Sequence, residues 1–221
     1  FIIEKMKQMV KKGYKLNEYG LYKGKKLVAG KMEEEIYKKL GFEIMPPEIR
    51  TNHGELEAAR SGKLPNLIRY SDLKGDLQVQ TDWTDGEHSI KEMAEVAMKA
   101  GLEYICITDH TKSLAMTGGS DEKRLIKQMA AIDELNSKFS AKGGSASGGK
   151  VFKILKGAEV NIRPDGTLDI DDETLAKLDV VGAAVHSRFN MSEKDMTARI
   201  KRAMENPNVD IIFHPTGRLI Q

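Results

Sequence analysis

Three separate apolar runs in this chain end in a histidine, and this repetition restricts the folds that the chain can adopt. Each run is short and bounded by polar or turn residues, which is typical of a buried strand. A fourth run of the same kind, residues 151–162, carries Glu159 inside a largely apolar stretch. The three histidine runs are 104–110, 180–186 and 210–214, which end at His110, His186 and His214.

Strand and helix signals alternate from Asp76 onward. Helices are predicted after the capping box that opens at Ser89, over 121–139, near 173–177 and after the cap residue Ser192. Repeated strand–helix units predict a parallel sheet, because each parallel step needs a crossover of this length. We therefore predict an α/β fold whose five strands form an open sheet or part of a barrel.

The first part of the chain has a different character and predicts a small α+β subdomain. Its signals are a helix over 3–12, a strand from Tyr14 to Tyr19, a hairpin over 20–25, and a second helix over 31–40 that stops at Gly41. We expect a first domain over 1–52, a linker over 53–74 with a short helix at 55–61, and a second domain over 75–221.

The charge distribution and the cysteine content indicate which kind of partner and which cellular compartment to expect. Residues 1–50 carry a net charge of +5 and the remainder −3, which suggests an acidic partner such as nucleic acid or, alternatively, a solvated lysine-rich surface. The single cysteine, Cys106, excludes an intrachain disulfide and fits a reducing, cytoplasmic setting. No apolar run approaches 18 residues, so we expect no membrane span.

Ligand-type side chains follow the predicted strands at matching positions. Gln78 and Gln80 share one face of their strand because they lie two residues apart, and Asp85 follows in the next loop. If the strands are parallel, these groups and the three histidines meet Glu159 at the carboxyl ends of the strands. A lone histidine there is usually a hydrogen-bonding residue, but three with a carboxylate favour a metal site.

Imidazole and carboxylate ligands suit Zn²⁺, Mn²⁺ or iron, and a higher carboxylate content favours Mn²⁺. Clustered metals beside a basic segment indicate phosphoester hydrolysis. Trp83 either packs beside its loop or stacks on a base. We assign no role to His53 and His88, which lie in linker or loop positions.

The motifs resemble a known family of metal phosphoesterases. The string 75–86, GDLQVQTDWTDG, followed by ITDH at 107–110, resembles the polymerase and histidinol phosphatase (PHP) family. The strings GAE at 157–159, AVHS at 184–187 and FHPTGR at 213–218 appear in the order which that family shows. The first part, with KLNEYGL at 15–21, EEEIY at 33–37 and PPEIR at 46–50, resembles the end of the thumb of a family X DNA polymerase.

The resemblance implies a thumb-like α+β subdomain followed by an incomplete, distorted (β/α)7 barrel with up to three metals. It implies DNA as the partner and a 3′–5′ exonuclease or related DNA phosphoesterase activity in a repair polymerase. The polymerase palm, with its Mg²⁺-dependent DNA polymerase activity, would lie upstream, and the end of the barrel downstream. The resemblance also implies that Asp85 and His110 serve one metal, and that Glu159, His186 and His214 serve another.

One departure from the family weakens part of this assignment. The opening His-x-His of the family is Gln78-Val79-Gln80 in this chain. A neutral amide is a weak ligand for Zn²⁺ or Mn²⁺, so the metal position that this pair serves should be weak or empty. Arg188 and Arg218 follow the candidate ligands and are expected either to contact phosphate or to form surface salt bridges.

Three hypotheses follow, and they differ in the role of the barrel. The first is a nuclease module that uses the surviving metals on DNA 3′ ends. The second, motivated by Gln78 and Gln80, is a degenerate scaffold or DNA-binding module without hydrolysis. The third is a histidinol-phosphatase-like enzyme, against which the thumb-like segment argues.

Overall fold

The computed structural model describes Val10, residues 13–141 and residues 151–216. The chain divides into two compact units, Phe1–Arg69 and Tyr70–Gln221. Three predicted features lie outside the described residues. They are the first helix, of which only Val10 is described, the glycine- and serine-rich segment 143–149, and Arg218.

The described part of the first unit, from Gly13 onward, contains an antiparallel sheet and two α-helices. Its strands pair in sequence order, and the turn between the second and third contains Gly24, whose positive φ of 60° suits glycine. The helix over Glu33–Leu40 has acidic residues in its first turn and lysines in its last, which complements the helix dipole, and it ends at the left-handed Gly41 as predicted. The elements are β1 (Tyr14–Asn17), β2 (Gly20–Lys23), β3 (Lys26–Ala29), α1 (Glu33–Leu40) and α2 (Glu55–Ser61).

Helix α2 lies within the segment that the sequence suggested as a linker, yet two of its residues are part of the first core. Leu56 and Ala59 pack with Tyr37 and Phe42 in that core. The helix begins where Glu55 accepts hydrogen bonds from the backbone N–H groups of Asn52 and His53, at 2.6 and 2.8 Å. The apolar face of α2 thus extends the first folded unit beyond residue 52.

The second unit is built on a five-stranded parallel sheet whose strand order follows the sequence without reversal. A sheet that winds in one direction is the arrangement of a β/α barrel rather than of a doubly wound sheet, so the predicted α/β class is confirmed. The strands are β4 (Gly75–Val79), β5 (Tyr104–Ile107), β6 (Lys153–Asn161), β7 (Val180–Ala184) and β8 (Ile211–Ile212). The helices are α3 (Ile90–Lys99), α4 (Glu122–Ala141), α5 (Asp172–Leu175) and α6 (Glu193–Met204).

Side-chain caps set the starts of these crossover helices. Ser89 and Glu92 form the reciprocal capping box that the sequence predicted for α3. Ser192 caps α6 as predicted, and Asp171 caps α5, which begins at Asp172, one residue before the expected start. The predicted apolar faces of α3 and α4 pack against the sheet, where Phe139 of α4 meets Phe152 edge to face at 6.3 Å. None of the helices in the described part of the chain combines the length and hydrophobicity that a membrane crossing requires.

Glycine at position 182 allows the last strand to approach its neighbour. A Cβ atom there would lie 2.2 Å from the ring of Phe213, which is a severe clash. Phe213 is buried, and its backbone N–H donates to Ala183 O at 3.0 Å. Since His214 is the next residue, this packing anchors the backbone that carries it.

The buried thiol of Cys106 gives a test of this core. Burial raises the pKa of Cys106 to about 12, whereas an exposed thiol titrates near ~8.5. The neutral thiol therefore favours the folded state, and this contribution is lost as the unfolded thiol ionises above ~8.5. We expect the free energy of unfolding to fall by about 1.4 kcal/mol per pH unit more steeply in this range than in a Cys106→Ala variant.

Denaturant titrations of both proteins between pH 8 and 11 measure this difference in slope. A thiol reagent at pH 8 should label Cys106 only after unfolding. Labelling of the native protein at the rate of the unfolded chain, or identical pH slopes for the two proteins, would contradict the burial of this thiol.

Candidate metal centre

The parallel register of the sheet brings the predicted site residues to one rim. A backbone bridge joins His110 to Glu159, because β5 and β6 pair in parallel up to this point. His186 and His214 each follow two residues after β7 and β8, at the same end of the sheet. The side chains surround an open cavity of about 560 Å³, lined by Gln78, Gln80, Asp85, His110, Leu114, Thr117, Glu159, His186 and His214.

Glu159 is the centre of this cluster and is almost fully buried, at 1% exposure. Its Oε1 atom lies 2.9 Å from Nε2 of His186 and 2.8 Å from Nε2 of His214. Its Oε2 atom accepts hydrogen bonds from the side-chain amides of Gln78 and Gln80, at 2.8 and 3.1 Å. Burial raises the pKa of Glu159, but the contacts with His186, His214 and Gln78 outweigh this effect and hold the pKa at about 2.

The other predicted site residues differ in their distance from this centre and in their exposure. Single ligand atoms of His110, Glu159 and His186 lie within 4.8 Å of one another. Asp85 is more remote, with its Oδ2 atom 3.7 Å from Nε2 of His110. His214 is partly exposed and has a positive φ of 33°, a strained backbone for a non-glycine residue. Arg188 is exposed, with a φ of 55°, on the loop after His186.

Asn161 orients His186, and the sequence analysis did not identify it. Its amide nitrogen donates to Asp169 Oδ2 at 2.9 Å and to the carbonyl of Thr111 at 3.1 Å. Its Oδ1 atom must therefore face Nδ1 of His186, at 2.7 Å. An amide oxygen only accepts, so the proton of His186 is on Nδ1. The signal in the sequence was its spacing, two residues after Glu159 on the same face of the strand.

This tautomer provides a test of whether the residues suit a metal ion. A neutral imidazole with its proton on Nδ1 has a lone pair on Nε2, and that lone pair faces Oε1 of the ionised Glu159 at 2.9 Å. Two acceptors at this distance need either a proton or a cation between them. Nδ1 of His110 is also buried, and it has no hydrogen-bond partner among the described residues. The donor set therefore fits a divalent cation, and Asn161 supplies the outer contact usual for a ligating histidine.

A second buried carboxylate, Asp109, holds the loop that carries Asp85. Asp109 is fully buried and accepts hydrogen bonds from the backbone and hydroxyl of Thr81, from the hydroxyl of Thr84, and from the amide of Gln128. These bonds join the loop after β4 to helix α4. They fix the backbone one residue before Asp85, which gives Asp109 a positioning role that its motif alone did not reveal.

Arg199 of α6 fixes the loop after His186 in a comparable way. It is 2% exposed and donates to the carbonyl oxygens of Ile162, Arg163 and Ser187, and no carboxylate pairs with it among the described residues. Burial lowers the pKa of its guanidinium. Because these carbonyls belong to the loops that follow β6 and β7, Arg199 holds the ends of the two strands that carry Glu159 and His186.

Two family models match this chain, each over one of its compact units. The DNA polymerase beta thumb model matches residues 4–51, and the PHP domain model matches residues 76–209, which is more than half of the chain. The chain belongs to the PHP family. The two models occur in the order thumb then PHP, so the resemblance to the family X polymerases is confirmed.

Similar proteins fall into two groups. The chain is 41% identical to the DNA polymerase/3′-5′ exonuclease PolX of Bacillus subtilis over 219 residues, which are 98% of this chain and 36% of that protein. It is 34% identical over 131 residues to a protein named "probable phosphatase" of Caldanaerobacter subterraneus subsp. tengcongensis, covering 58% of this chain and 45% of that protein. A "probable phosphatase" of Thermoanaerobacter sp. is 35% identical over 131 residues, covering 58% and 47%. The chain thus spans about a third to a half of the length of these relatives.

The Asn161 contact predicts a measurable effect on metal affinity in the PHP site. An Asn161→Ala variant loses the acceptor that fixes the tautomer and ring orientation of His186. We expect cation affinity to fall by about 10- to 100-fold, the usual cost of losing such an outer contact. Calorimetric titration with Mn²⁺ and Zn²⁺ measures it, with the exposed His88→Ala variant as the control. Equal affinity in folded Asn161→Ala and native protein would contradict this role.

Proposed function

We propose that the PHP unit is a metal-dependent phosphoesterase that acts as a 3′–5′ exonuclease on DNA, in a repair polymerase of family X. The observation that supports this most strongly is the convergence of three imidazoles on the buried carboxylate of Glu159 at one rim of the sheet. DNA polymerase activity is assigned to a part of the parent protein outside this chain. The name of the Bacillus subtilis relative couples the same two activities.

The cation would be held by Glu159, His186 and His110, whose ligand atoms lie within 4.8 Å of one another. His214 lies beside this group, with its Nε2 atom 2.8 Å from Oε1 of Glu159, and Asp85 lies 3.7 Å from His110. Mn²⁺ or Zn²⁺ suits this nitrogen and oxygen set. Such a cation supplies Lewis acidity that stabilises charge on a phosphoryl group. The protein contributes orientation: Asn161 sets the tautomer of His186, and Glu159 remains ionised because four side chains donate to it or face it.

The substrate class is supported by features outside the centre. The net charge of +5 over residues 1–50 favours a polyanion, and the thumb match covers almost the same residues. Exposed Arg188, on the loop after His186, is proposed to contact a phosphate. Arg218 has the same proposed role but lies outside the described residues.

Two other functions have an observation in their favour. The phosphatase relatives support a histidinol-phosphatase-like activity on small phosphoesters, but their matches cover only 58% of this chain. The glutamines at 78 and 80 support a scaffold without hydrolysis, since they replace stronger ligands. The small-molecule alternative leaves the basic thumb segment without a role, and the scaffold or DNA-binding alternative leaves the imidazoles around Glu159 without one, so we favour the nuclease.

A ligand-deletion experiment tests the nuclease directly. A His186→Ala/His214→Ala variant removes both nitrogen atoms that face Oε1 of Glu159. We expect Mn²⁺-dependent degradation to fall by about 100-fold or more, because loss of an outer contact alone costs up to about 100-fold. The measurement is release of label by the full-length parent protein from DNA strands labelled at the 3′ terminus, with His88→Ala as the matched control. Degradation at the native rate by the double variant would rule out this centre. Rapid hydrolysis of histidinol phosphate with none of DNA would favour the small-molecule alternative.

The charge of the first unit predicts salt-dependent DNA binding. Lys25 and Lys26 are exposed at the turn between β2 and β3, and we expect Lys25→Glu/Lys26→Glu to weaken binding and flatten its salt dependence. Each lost phosphate contact should change the slope of log affinity against log salt by about 0.9. Lys123→Glu/Lys127→Glu, an exposed pair on α4, is the control for net charge. Affinity that does not depend on salt, or equal losses in both variants, would contradict a DNA-binding role for the first unit.

A further inference from the structure

The two oxygens of Glu159 face chemically different partners. Oε2 lies 2.8 Å from the amide nitrogen of Gln78 and 3.1 Å from that of Gln80. The amide nitrogen of Gln80 also lies 3.4 Å from the carbonyl oxygen of Thr108, which can only accept, so this nitrogen is the group that points inward. Both in-plane lone pairs of Oε2 are therefore engaged by N–H donors.

Oε1, by contrast, faces groups that can change roles. Its two neighbours are the Nε2 atoms of His186 and His214, at 2.9 and 2.8 Å. An imidazole nitrogen can either donate a proton or present a lone pair to a cation, whereas an amide N–H can only donate. A cation can therefore replace a proton between Oε1 and an imidazole. A cation at Oε2 would require both amide hydrogen bonds to break.

We propose that Gln78 and Gln80 act as a permanent hydrogen-bonded substitute for a cation on the Oε2 side of Glu159. Their amide donors satisfy Oε2 and keep the buried carboxylate in its orientation when no metal is bound. The centre is thus preassembled, and it takes up its cation on the Oε1 side only. This inference deepens the proposed function, on which it rests, because it specifies how the same centre is occupied.

Metal stoichiometry provides the first test. In a Gln78→His/Gln80→His variant, imidazole lone pairs replace the amide donors on Oε2, and we expect the variant to bind one more equivalent of Mn²⁺ or Zn²⁺ than the native chain. Elemental analysis and calorimetric titration with the metal alone measure both proteins under identical conditions. Equal stoichiometry would overturn the inference.

Thermal melting of the metal-free protein provides the second test and does not need the histidine variant to fold. In EDTA, Gln78→Met/Gln80→Met retains the side-chain length but removes both donors, and we expect its melting temperature to fall by several degrees. Gln78→Glu/Gln80→Glu places two further carboxylates against Oε2, so its melting temperature in EDTA should be lower than that of the methionine variant. Added Mn²⁺ should raise the melting temperature of this glutamate variant more than that of the native protein or the methionine variant. Melting temperatures equal to the native value in both variants would overturn the inference.

These tests are separate from the test of the proposed function. Both can be measured with no nucleic acid present. If His186→Ala/His214→Ala leaves DNA degradation unchanged, the nuclease assignment fails, but the difference in stoichiometry between native protein and Gln78→His/Gln80→His still decides this inference. If degradation depends on the histidines but the stoichiometries are equal, the nuclease assignment stands and the role of the glutamines fails.

Discussion

The second unit depends on a single electrostatic requirement, the ionised carboxylate of Glu159 in a buried position. A charge at this depth is costly unless its oxygens have donors or a cation. Four side chains meet this requirement by pointing to Glu159. They are Gln78 of β4, Gln80 after it, and His186 and His214 in the loops after β7 and β8. The energetic cost of the buried charge therefore determines which strand ends must lie close together.

The surrounding polar network keeps these side chains in place. Asp169 orients Asn161, and Asn161 in turn orients His186. Asp109 holds the loop before Asp85 against helix α4, while Arg199 binds the carbonyls of two further loops. The side chains of Asp169, Asn161, Asp109 and Arg199 are buried, and each forms hydrogen bonds to other segments of the chain, so this network couples the fold to the site.

The sequence predicted the scaffold well because its signals are local. The capping box at Ser89, the stop at Gly41 and the apolar face of α4 each depend on residues within a few positions of one another. The strand ends that carry the histidines were predicted from periodicity for the same reason. Helix α2 was located correctly, but its packing against the first core was not foreseen, because burial of Leu56 depends on strands far away in the sequence.

The sequence by itself determined the residue types at the rim and the order in which the strands deliver them, because hydrophobic periodicity and turn residues act over short distances. The resemblance to the PHP family also indicated that Gln78 and Gln80 stand where stronger ligands would be expected. Only the tertiary structure decided that their amides donate to one oxygen of Glu159 while the imidazoles face the other. That division depends on side-chain directions across neighbouring strands, and no spacing along a single strand contains this information.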